Sequence, residues 1–371
     1  MVGGGPGSFI GDAHRRALNL DGEATLVAGC FSRSIEKTRQ TGKELGVLED
    51  RCYSSYEEMA QCEAERADGI DFAVIVTPNA AHYPACKAFL NAGINVSCDK
   101  PLCLTVDQAE ELYQLATEKN LLFMVTYTYM GHVTAKYIRN YISSGKLGKI
   151  RTVMAEYPQG WLAHAGEWGG KQGQWRCDPE QSGGVNCLGD LGTHVENAVS
   201  TLTGLKIKRV LAKMDVVVPG RILDDNDVVL VEFEGGATGC YWTSQFAIGH
   251  DNDLRIRIYG ENGSIIWNQE NSEKVTIIER DGTIIERHRG HGSIDSDAAS
   301  YGRLPAGHAE GWLESMANLY RSFINCVVEK KNGTFQHSMI DYPTVEDGLE
   351  GIKFIHACLQ SNNAGNVWVE I

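Results

Sequence analysis

The first third of the chain alternates short apolar runs with stretches of helical period. Four runs are apolar on both faces, which is typical of strands buried in a parallel sheet; they span residues 25–30, 70–77, 94–98 and 121–126. The stretches between them predict helices that begin at Ser34, Ser55 and Thr105, and Glu58 and Gln108 complete capping boxes in the last two. This alternation predicts an α/β domain with a doubly wound parallel sheet.

The pattern changes after residue 130. A helix over 132–144 and a strand over 149–157 precede a long irregular stretch, residues 158–187. Strands follow over 209–218, 227–233, 238–246, 254–259, 264–267 and 274–279, then helices over 308–329 and 344–360 and a strand over 366–370. We therefore expect one domain over 1–129 and an α+β domain over 130–371 with a large, open-faced, mostly antiparallel sheet. The C-terminal segment is free to pack back on the first domain.

A glycine cluster, Gly3-Gly4-Gly5-Pro6-Gly7, lies between a strand fragment and a predicted helix over residues 12–18. Glycines at the first strand–helix turn let the backbone approach a pyrophosphate and aim helix amides at it. The residues predicted to bind a dinucleotide here are Gly3, Gly5, Pro6, Gly7, Phe9 and Ile10, with Gly11 in the place of the third glycine. The alternative is a flexible turn. Only Met1 and Val2 precede the cluster, so either the first strand is stunted or the natural start lies upstream.

The residues after the second predicted strand bear on which dinucleotide binds. An acidic residue about 20 positions beyond the glycine motif normally binds the ribose of NAD, but Ser32-Arg33-Ser34 stands at this place. Hydroxyls and an arginine suit a 2′-phosphate, so Ser32 and Arg33 favour NADP locally. The alternative is that Ser34 caps the next helix and Arg33 is solvated.

Polar residues follow two further predicted strands at the carboxyl edge of the sheet, where ligands of such folds bind. Six of them are assigned to the cofactor site: Thr77, Pro78, Asn79, His82, Asp99 and Lys100. Lys100 stands between a buried strand and Pro101, and a lysine there can donate to a substrate oxygen. The alternatives are a helix cap at Asn79 and an ordinary surface lysine at a strand end.

Asp190 and His194 are four residues apart, so both side chains lie on one face of a predicted helix that begins at Asp190. The helix dipole near an N-terminus favours a neutral imidazole, which can act as a base. Lys100, Asp190 and His194 are a sufficient set for moving a proton off an alcohol, and we predict them to be catalytic. The alternative is that Asp190 is the helix cap and His194 a satisfied interior residue.

The irregular stretch over 158–187 contains three tryptophans, Trp161, Trp168 and Trp175. Aromatic faces stack on the C–H surfaces of sugars, although tryptophans more often belong to the core. We predict that this stretch forms a wall of the substrate site. The predicted substrate-binding residues are Tyr129, Trp161, Trp175, Arg176, Asp190 and His194.

Composition limits the partners. The chain has 371 residues, 34 Lys+Arg and 48 Asp+Glu, so its formal net charge is −14, which disfavours nucleic acid and anionic membranes. No apolar run is long enough to span a bilayer, and no signal-peptide pattern stands at the N-terminus. The 11 cysteines lack the paired spacing of a zinc site. We expect a cytoplasmic protein with reduced thiols and no bound metal.

Several motifs occur in an order and spacing that resemble the Gfo/Idh/MocA oxidoreductases over essentially the whole chain. They are the glycine-rich start, Thr77-Pro78-Asn79 with His82, Asp99-Lys100-Pro101, Trp175-Arg176, Gly189-Asp190-Leu191-Gly192-Thr193-His194 and Pro343-Thr344-Val345-Glu346-Asp347-Gly348. The family's usual Glu-Lys-Pro is Asp-Lys-Pro here, which keeps an acid beside the lysine. The usual acid after the second strand is replaced, which leaves the choice of cofactor open.

The resemblance implies an N-terminal Rossmann domain and a C-terminal domain whose open sheet packs against another subunit, giving a homo-oligomer. It implies NAD as the cofactor, with NADP as the alternative, and a secondary hydroxyl or ketone of a sugar, glycoside or cyclitol as the reacting group. His194 would be the general acid/base, Lys100 would bind the same oxygen, and Asp190 would orient the hydroxyls or the histidine. Two rival hypotheses are an NAD-dependent glycosidase that works by transient oxidation and a cofactor-binding regulator without chemistry.

Overall fold

A computed structural model of the chain describes residues 1–164 and 170–371. It divides into two compact units. The first consists of Met1–Thr128 and Met316–Leu349, and the second of Tyr129–Ser315 and Glu350–Ile371. Each unit is therefore made of two separate segments of the chain, which alternate along the sequence.

The first unit contains a parallel four-stranded sheet with strand order β1-β2-β3-β4. The strands are β1 (Val2–Gly3), β2 (Phe72–Val76), β3 (Asn95–Cys98) and β4 (Phe123–Val125). The helices are α1 (Phe9–Asn19), α2 (Ile35–Leu45), α3 (Tyr56–Glu65), α4 (His82–Asn91) and α5 (Val106–Glu118). This sheet, with helices between its strands, confirms the Rossmann fold. The prediction of a strand over 25–30 is wrong, because the backbone there makes only single bridges, Val2 with Cys30 and Gly29 with Cys52.

The predicted helix starts of this unit are confirmed by their caps. The side chains of Ser34, Ser55 and Thr105 accept hydrogen bonds from backbone N–H groups in the first turns of α2, α3 and α5. Glu58 does reach back over the start of α3, but it accepts from the N–H of Ser54 rather than from that of Ser55. The local pattern alone was enough to place these elements, since capping is a short-range interaction.

The second unit contains a nine-stranded sheet with order β12-β11-β10-β9-β5-β8-β7-β6-β13. The strands are β5 (Ile150–Pro158), β6 (Ile207–Asp215), β7 (Asn226–Phe233), β8 (Thr238–Ser244), β9 (Arg255–Gly260), β10 (Gly263–Asn268), β11 (Lys274–Glu279), β12 (Ile284–His288) and β13 (Val369–Glu370). All neighbours are antiparallel except β5 and β8, which are parallel with Pro158 opposite Ser244. The carboxyl ends of these two strands therefore meet at one edge of the sheet. The expectation of a large, mostly antiparallel sheet is confirmed.

Among residues 1–164 and 170–371, five α-helices lie in the second unit and two more cross the unit boundaries. The former are α6 (Val133–Ser143), α7 (Gly170–Arg176), α8 (Pro179–Ser182), α9 (Thr193–Thr203) and α10 (Ser296–Ala299), and the latter are α11 (Trp312–Asn332) and α12 (Val345–Asn363). Among the described residues, no helix is both long enough and apolar enough to cross a membrane. All eleven cysteines are free thiols, and most are buried.

The large sheet has one covered and one open face. On β7, Val229 and Val231 are each 1% exposed, while Val228 and Leu230 between them are 39% and 43% exposed. On β8, the side chain of Tyr241 points to the covered face, and its ring centre lies 6.0 Å from that of Phe354 in α12. Period-two alternation therefore puts apolar side chains on both faces, and in the single chain one apolar face is open.

Candidate active site

The glycine turn of the first unit excludes side chains at three positions. Gly3 has φ +81°, and a Cβ there would lie 2.7 Å from the carbonyl oxygen of Val76. A Cβ on Gly5 would lie 2.6 Å from the carbonyl oxygen of Phe31, and one on Gly11 would lie 2.4 Å from Gly4 Cα. The turn thus needs glycine for the tight bend and for the close packing of α1, which is the pattern of a dinucleotide-binding turn.

A cavity of about 430 Å³ opens at this turn. Its lining residues are Gly4, Gly5, Pro6, Gly7, Ser8, Phe9, Asp12, Arg15, Thr41, Glu44 and Leu45. A Cβ on Gly7 would meet no atom within 4 Å, so the turn is open above it, and the N-terminus of α1 begins two residues later. Space, backbone amides and a helix N-terminus are what a pyrophosphate requires, so these residues fit a dinucleotide.

Only four of the fourteen predicted cofactor residues line this cavity: Gly5, Pro6, Gly7 and Phe9. Of the other ten, six follow β2 and β3, and the rest are Gly3, Ile10, Ser32 and Arg33. Ile10 is half-buried in the first turn of α1, Ser32 is half-buried and Arg33 is exposed. Ser34 accepts from the N–H of Lys37 at 3.3 Å, so its role as a helix cap is confirmed. The argument for a 2′-phosphate contact therefore rests on Ser32 and Arg33 alone.

His82 and Asp99 join the ends of neighbouring strands. The ring of buried His82 lies between two carbonyl oxygens, with Nδ1 at 2.8 Å from Pro101 and Nε2 at 2.9 Å from Thr77. Burial lowers the pKa of His82, and a neutral imidazole with one N–H donates to one of these carbonyls. The structure thus brings the turn after β2, which holds Thr77, Pro78 and buried Asn79, together with the turn after β3.

Asp99 fixes the backbone beside Lys100. Its Oδ1 accepts from the N–H of Lys100 at 2.8 Å and from the hydroxyl of Thr126 at 3.2 Å. The peptide bond between Lys100 and Pro101 is cis. Lys100 is half-exposed directly after β3, at the carboxyl edge of the parallel sheet.

In the second unit, Asp190 and His194 lie at the start of one helical segment. A π-helical turn, Leu188–Gly192, carries Asp190 and leads directly into α9, which carries His194. The carboxylate that caps this segment belongs to Asp224, which accepts from the N–H groups of Asn186 and Leu188 at 2.7 and 2.6 Å. The helix therefore begins before Asp190, and the reading of Asp190 as its cap is wrong.

The carboxylate of Asp190 is held from two sides. Arg176 Nε donates to Oδ2 at 3.1 Å, and Gln245 Nε2 donates to the same oxygen at 3.3 Å. The Gln245 Oε1 accepts in turn from Asn186 Nδ2 at 2.6 Å. The guanidinium carbon of Arg176 lies 4.4 Å from the ring centre of Trp175 and 5.9 Å from that of Trp161. The side chain of Asp190 is 14% exposed, so it remains accessible to a ligand.

Two tyrosines pack edgewise against His194, which is 7% exposed. The ring centres of Tyr129 and Tyr157 lie 4.8 and 5.9 Å from that of the imidazole. Burial raises the pKa of Tyr129 to about 12 and raises that of Tyr157 well above its usual range, and the charge of Asp190 acts in the same direction on both. Both phenols are therefore neutral at physiological pH and are poor candidates for the base.

A polar chain extends from these tyrosines to Trp161. Tyr157 donates to Asn252 Oδ1 at 2.5 Å, and Gln159 Nε2 donates to the same oxygen at 2.8 Å. The Gln159 Oε1 accepts from Trp161 Nε1 at 2.7 Å. The indole of Trp161, 37% exposed, is thus held by the residues that surround His194.

All six predicted substrate residues come together in the second unit. They form one continuous group through the contacts above: Tyr129, Trp161, Trp175, Arg176, Asp190 and His194. Trp168 lies outside the described residues. The sequence reasoning did not single out Tyr157, Gln245 or Asn252. Tyr157 and Gln245 stand at the ends of β5 and β8, and the parallel pairing of these two strands would have indicated them.

A buried group of potential metal ligands lies next to the start of the helical segment that carries Asp190 and His194. Ligand atoms of Cys187, Asp224 and Asp227 lie within 4.8 Å of one another. Burial raises the pKa of Asp224, and burial together with Asp224 raises that of Asp227 well above its usual value. Asp227 Oδ2 accepts from Thr243 at 2.9 Å, and its Oδ1 has no hydrogen-bond partner. A proton on Asp227 satisfies this arrangement, since neutralisation is the common outcome for a buried acid beside another.

Comparison with known proteins identifies the family. Residues 1–127 match the oxidoreductase family with an NAD-binding Rossmann fold, and residues 135–266 match the GFO/IDH/MocA C-terminal domain. The chain is 37% identical over 379 residues to the uncharacterized oxidoreductase YfiI of Bacillus subtilis (strain 168), a match that covers 100% of this chain and 95% of YfiI.

Two dehydrogenases are also similar to the chain. The crystal structure of an inositol dehydrogenase homolog from Azotobacter vinelandii, complexed with NADH and myo-inositol, is 34% identical with a TM-score of 0.93, and the match covers 100% of this chain and 96% of that one. Levoglucosan dehydrogenase of Pseudarthrobacter phenanthrenivorans is 26% identical over 226 residues, which is 55% of this chain and 56% of that enzyme. The chain therefore belongs to the Gfo/Idh/MocA oxidoreductases and is an oxidoreductase with an NAD-binding Rossmann domain.

Proposed function

We propose that this oxidoreductase is an NAD-dependent dehydrogenase of a secondary hydroxyl on a ring-shaped polyol, a sugar, glycoside or cyclitol. The observation that carries the proposal is the group around Asp190 and His194, in which an acid and an imidazole share a helix face beside an exposed indole. The similarity to a homolog complexed with NADH and myo-inositol supports the polyol class.

His194 is proposed as the base that takes the hydroxyl proton. Its ring is packed between Tyr129 and Tyr157, whose own phenols are neutral and hydrogen-bonded to other groups, so the imidazole is the group here that is suited to accept a proton. When bound, NAD supplies the acceptor for the hydride that leaves the carbon bearing this hydroxyl. A base of this kind typically accelerates proton transfer by about 10²–10⁴-fold.

Asp190 and Lys100 are proposed to act on the hydroxyl groups. Asp190 has acceptor capacity beyond its bonds to Arg176 and Gln245, since a carboxylate offers about four lone-pair sites. Arg176 balances its charge, so the pair presents oriented donors and acceptors to a neutral polyol rather than a site for an anion. Lys100 is proposed, from the family resemblance, to donate to the reacting oxygen and to stabilise the charge that develops on it.

The aromatic residues are proposed to form the apolar side of the substrate site. Trp161 offers an exposed ring face whose Nε1–H is already satisfied by Gln159. Trp175 is covered on one side by Arg176. A sugar or cyclitol ring has C–H surfaces that suit an indole and hydroxyls that suit Asp190, which is why we favour a ring over a linear alcohol.

We also propose that the chain assembles through the open face of the large sheet. Val228 and Leu230 are exposed apolar residues on β7, an interior strand of that sheet, where a second copy would cover them. A symmetric dimer is the simplest assembly that covers the same face of each copy.

A substrate screen tests the proposed reaction. Purified protein is incubated with sugars, cyclitols and glycosides and with NAD or NADP, and the reduced cofactor is followed at its absorbance band. We expect stoichiometric reduced cofactor and a ketone at one ring carbon by NMR. Hydrolysis of a glycoside without net reduced cofactor would replace the proposal with the glycosidase, and cofactor binding without turnover of any polyol would replace it with the regulator.

A further inference from the structure

We propose that Asn252 is a positioning residue that ties the indole of Trp161 to the imidazole of His194 through a closed ring of hydrogen bonds. Asn252 lies in the loop between β8 and β9 and is half-buried. Its side chain contacts three residues from two other segments, Tyr129, Tyr157 and Gln159. No other side-chain amide in the group around His194 bonds to both phenols that pack on the imidazole, among the hydrogen bonds of the described residues.

The directions of the bonds follow from the chemistry of the atoms. Asn252 Nδ2 can only donate, and it lies 3.1 Å from the Tyr129 hydroxyl, so that oxygen accepts. Asn252 Oδ1 can only accept, so the Tyr157 hydroxyl donates to it at 2.5 Å. The proton of Tyr129 has two acceptors in reach, Asn252 Oδ1 at 3.4 Å and the Tyr157 hydroxyl in a short hydrogen bond. Because the Tyr157 proton goes to Asn252 Oδ1, the short bond takes its proton from Tyr129. The three groups form a closed ring in which each donates once and accepts once.

This ring commits both phenol hydroxyls. Neither Tyr129 nor Tyr157 has a proton left for a substrate, and their pKa values are raised by burial, so they do not ionise near neutrality. What they present to His194 is the edges and faces of their rings. Hydrogen bonds in series polarise one another, so loss of one member weakens the others and frees both rings to move.

The same Asn252 oxygen reaches the substrate wall. Gln159 Nε2 donates to it at 2.8 Å, and the other end of that amide holds Trp161 Nε1 at 2.7 Å. Gln159 is 9% exposed and Tyr157 is 2% exposed, so water competes little for these bonds. A displacement of Trp161 by a bound ring would therefore be transmitted to the packing of His194 through one amide.

The inference rests on the proposed function for its catalytic meaning, but its structural content can be measured without turnover. Among the described residues, the titratable groups near His194 include Tyr129 and Tyr157 from the packed segments and Asp190 one turn earlier on its own helical segment. Each contact joins residues of the chain itself, so the NMR signals of the His194 ring and of the Trp161 indole N–H report the coupling without turnover.

The test compares Asn252→Leu with Asn140→Leu. Asn140 is also a half-buried asparagine of the second unit, and its Nδ2 donates to Asp295 and Asp297, both at 2.9 Å. The indole N–H signal of Trp161 is assigned with Trp161→Phe and the ring signals of His194 with His194→Ala. We expect Asn252→Leu to shift both sets of signals, while Asn140→Leu changes neither.

Tyr157→Phe covers the case in which Asn252→Leu does not fold. It keeps the ring against His194 but removes the bond to Asn252. We expect the Trp161 signal to shift, although the hydrogen bonds of the described residues join Trp161 to Gln159 and not to Tyr157. A Trp161 shift without a change at His194 in Asn252→Leu, or an unchanged Trp161 signal in Tyr157→Phe, would overturn the coupling.

Steady-state kinetics add the functional arm. If the polyol reaction is confirmed, Asn252→Leu should raise KM and lower kcat by roughly tenfold each, because both the wall and the base lose their fixed geometry. A lower melting temperature with unchanged KM and kcat would show a purely structural role. If the wild-type protein oxidises no polyol, the proposed function fails, and the NMR comparison still decides whether the coupling exists.

Discussion

Arg176 Nε donates to the carboxylate of Asp190 at 3.1 Å while its guanidinium lies against the ring of Trp175. One side chain therefore connects Asp190 to the aromatic side of the proposed substrate site. Arg176→Leu removes the cation and the hydrogen bond that its Nε donates to the carboxylate of Asp190. We expect kcat/KM to fall by about 10²-fold, since the orientation of Asp190 is lost. Arg176→Lys keeps the positive charge but lacks the planar guanidinium, so its kcat/KM should lie between those of the wild type and Arg176→Leu. Equal activity of Arg176→Leu and the wild type would contradict this role.

Trp161→Ala tests the substrate wall. The indole is 37% exposed, so its removal should change the melting temperature little while KM rises by roughly tenfold through lost stacking on the ring. Trp368→Ala is the matched control, because Trp368 is also 37% exposed and packs 4.9 Å from the guanidinium of Arg209. A large loss of stability in Trp161→Ala with unchanged KM in the folded fraction would show that Trp161 is a structural anchor.

Asp227 predicts a pH dependence of the free energy of unfolding. Its pKa in the folded chain is raised well above the usual 3.8, so the folded state keeps a proton that the unfolded state releases. The contribution to stability is complete below pH 3.8 and is lost as the pH rises towards the raised value. Asp227→Asn replaces the protonated acid by a neutral amide. We expect it to raise the melting temperature relative to the wild type by an amount that grows as the pH rises above 3.8.

Asp224→Asn is the contrast for this prediction. Both carboxylate oxygens of Asp224 accept backbone N–H groups at the start of the helix, so an amide NH₂ would face a donor. Asp224→Asn should lower the free energy of unfolding at low pH and at high pH, by about 1–3 kcal/mol, because it leaves a buried group unsatisfied. A difference between Asp227→Asn and the wild type that is the same at low and high pH would show that Asp227 does not hold the proton.

Leu230→Glu tests assembly through the open sheet face. A charge at this 43% exposed position should dissociate the assembly without unfolding the chain, because the side chain points away from the covered face. Light scattering coupled to size exclusion should show the wild type as a dimer or larger and the variant shifted towards the monomer. Leu48→Glu, at a position 66% exposed in the first unit, should leave the mass unchanged. A monomeric wild type at micromolar concentration would remove the proposal.

Much of the fold follows from local patterns. Ser34, Ser55 and Thr105 start helices where their sequences predict, since a cap and its N–H lie within one turn. The run over 25–30 is apolar enough for a strand but pairs only through single bridges. Strand formation depends on neighbouring backbones that are distant in sequence, and this explains why apolarity alone misplaced it.

The candidate site divides in the same way. The proximity of Asp190 and His194 could be predicted from the sequence, because residues four apart lie on the same face of a helix. Asn252 carried no signal, since Asp251-Asn252-Asp253 has the composition of an ordinary turn, and its partners Tyr129 and Tyr157 lie about 100 residues away in the sequence. Asp224 was missed as the helix cap for the same reason, because it reaches residue 186 across 38 positions.

The central claim is that His194 moves the proton of a polyol hydroxyl while the first unit binds the dinucleotide. The most direct measurement is kcat of His194→Ala on the polyol found by the screen, alongside the NADH dissociation constant from a fluorescence titration, with Lys100→Ala treated in the same way. The account predicts that kcat falls by at least about 10²-fold in each variant while NADH binds as tightly as in the wild type. Near-normal kcat in His194→Ala would contradict the account.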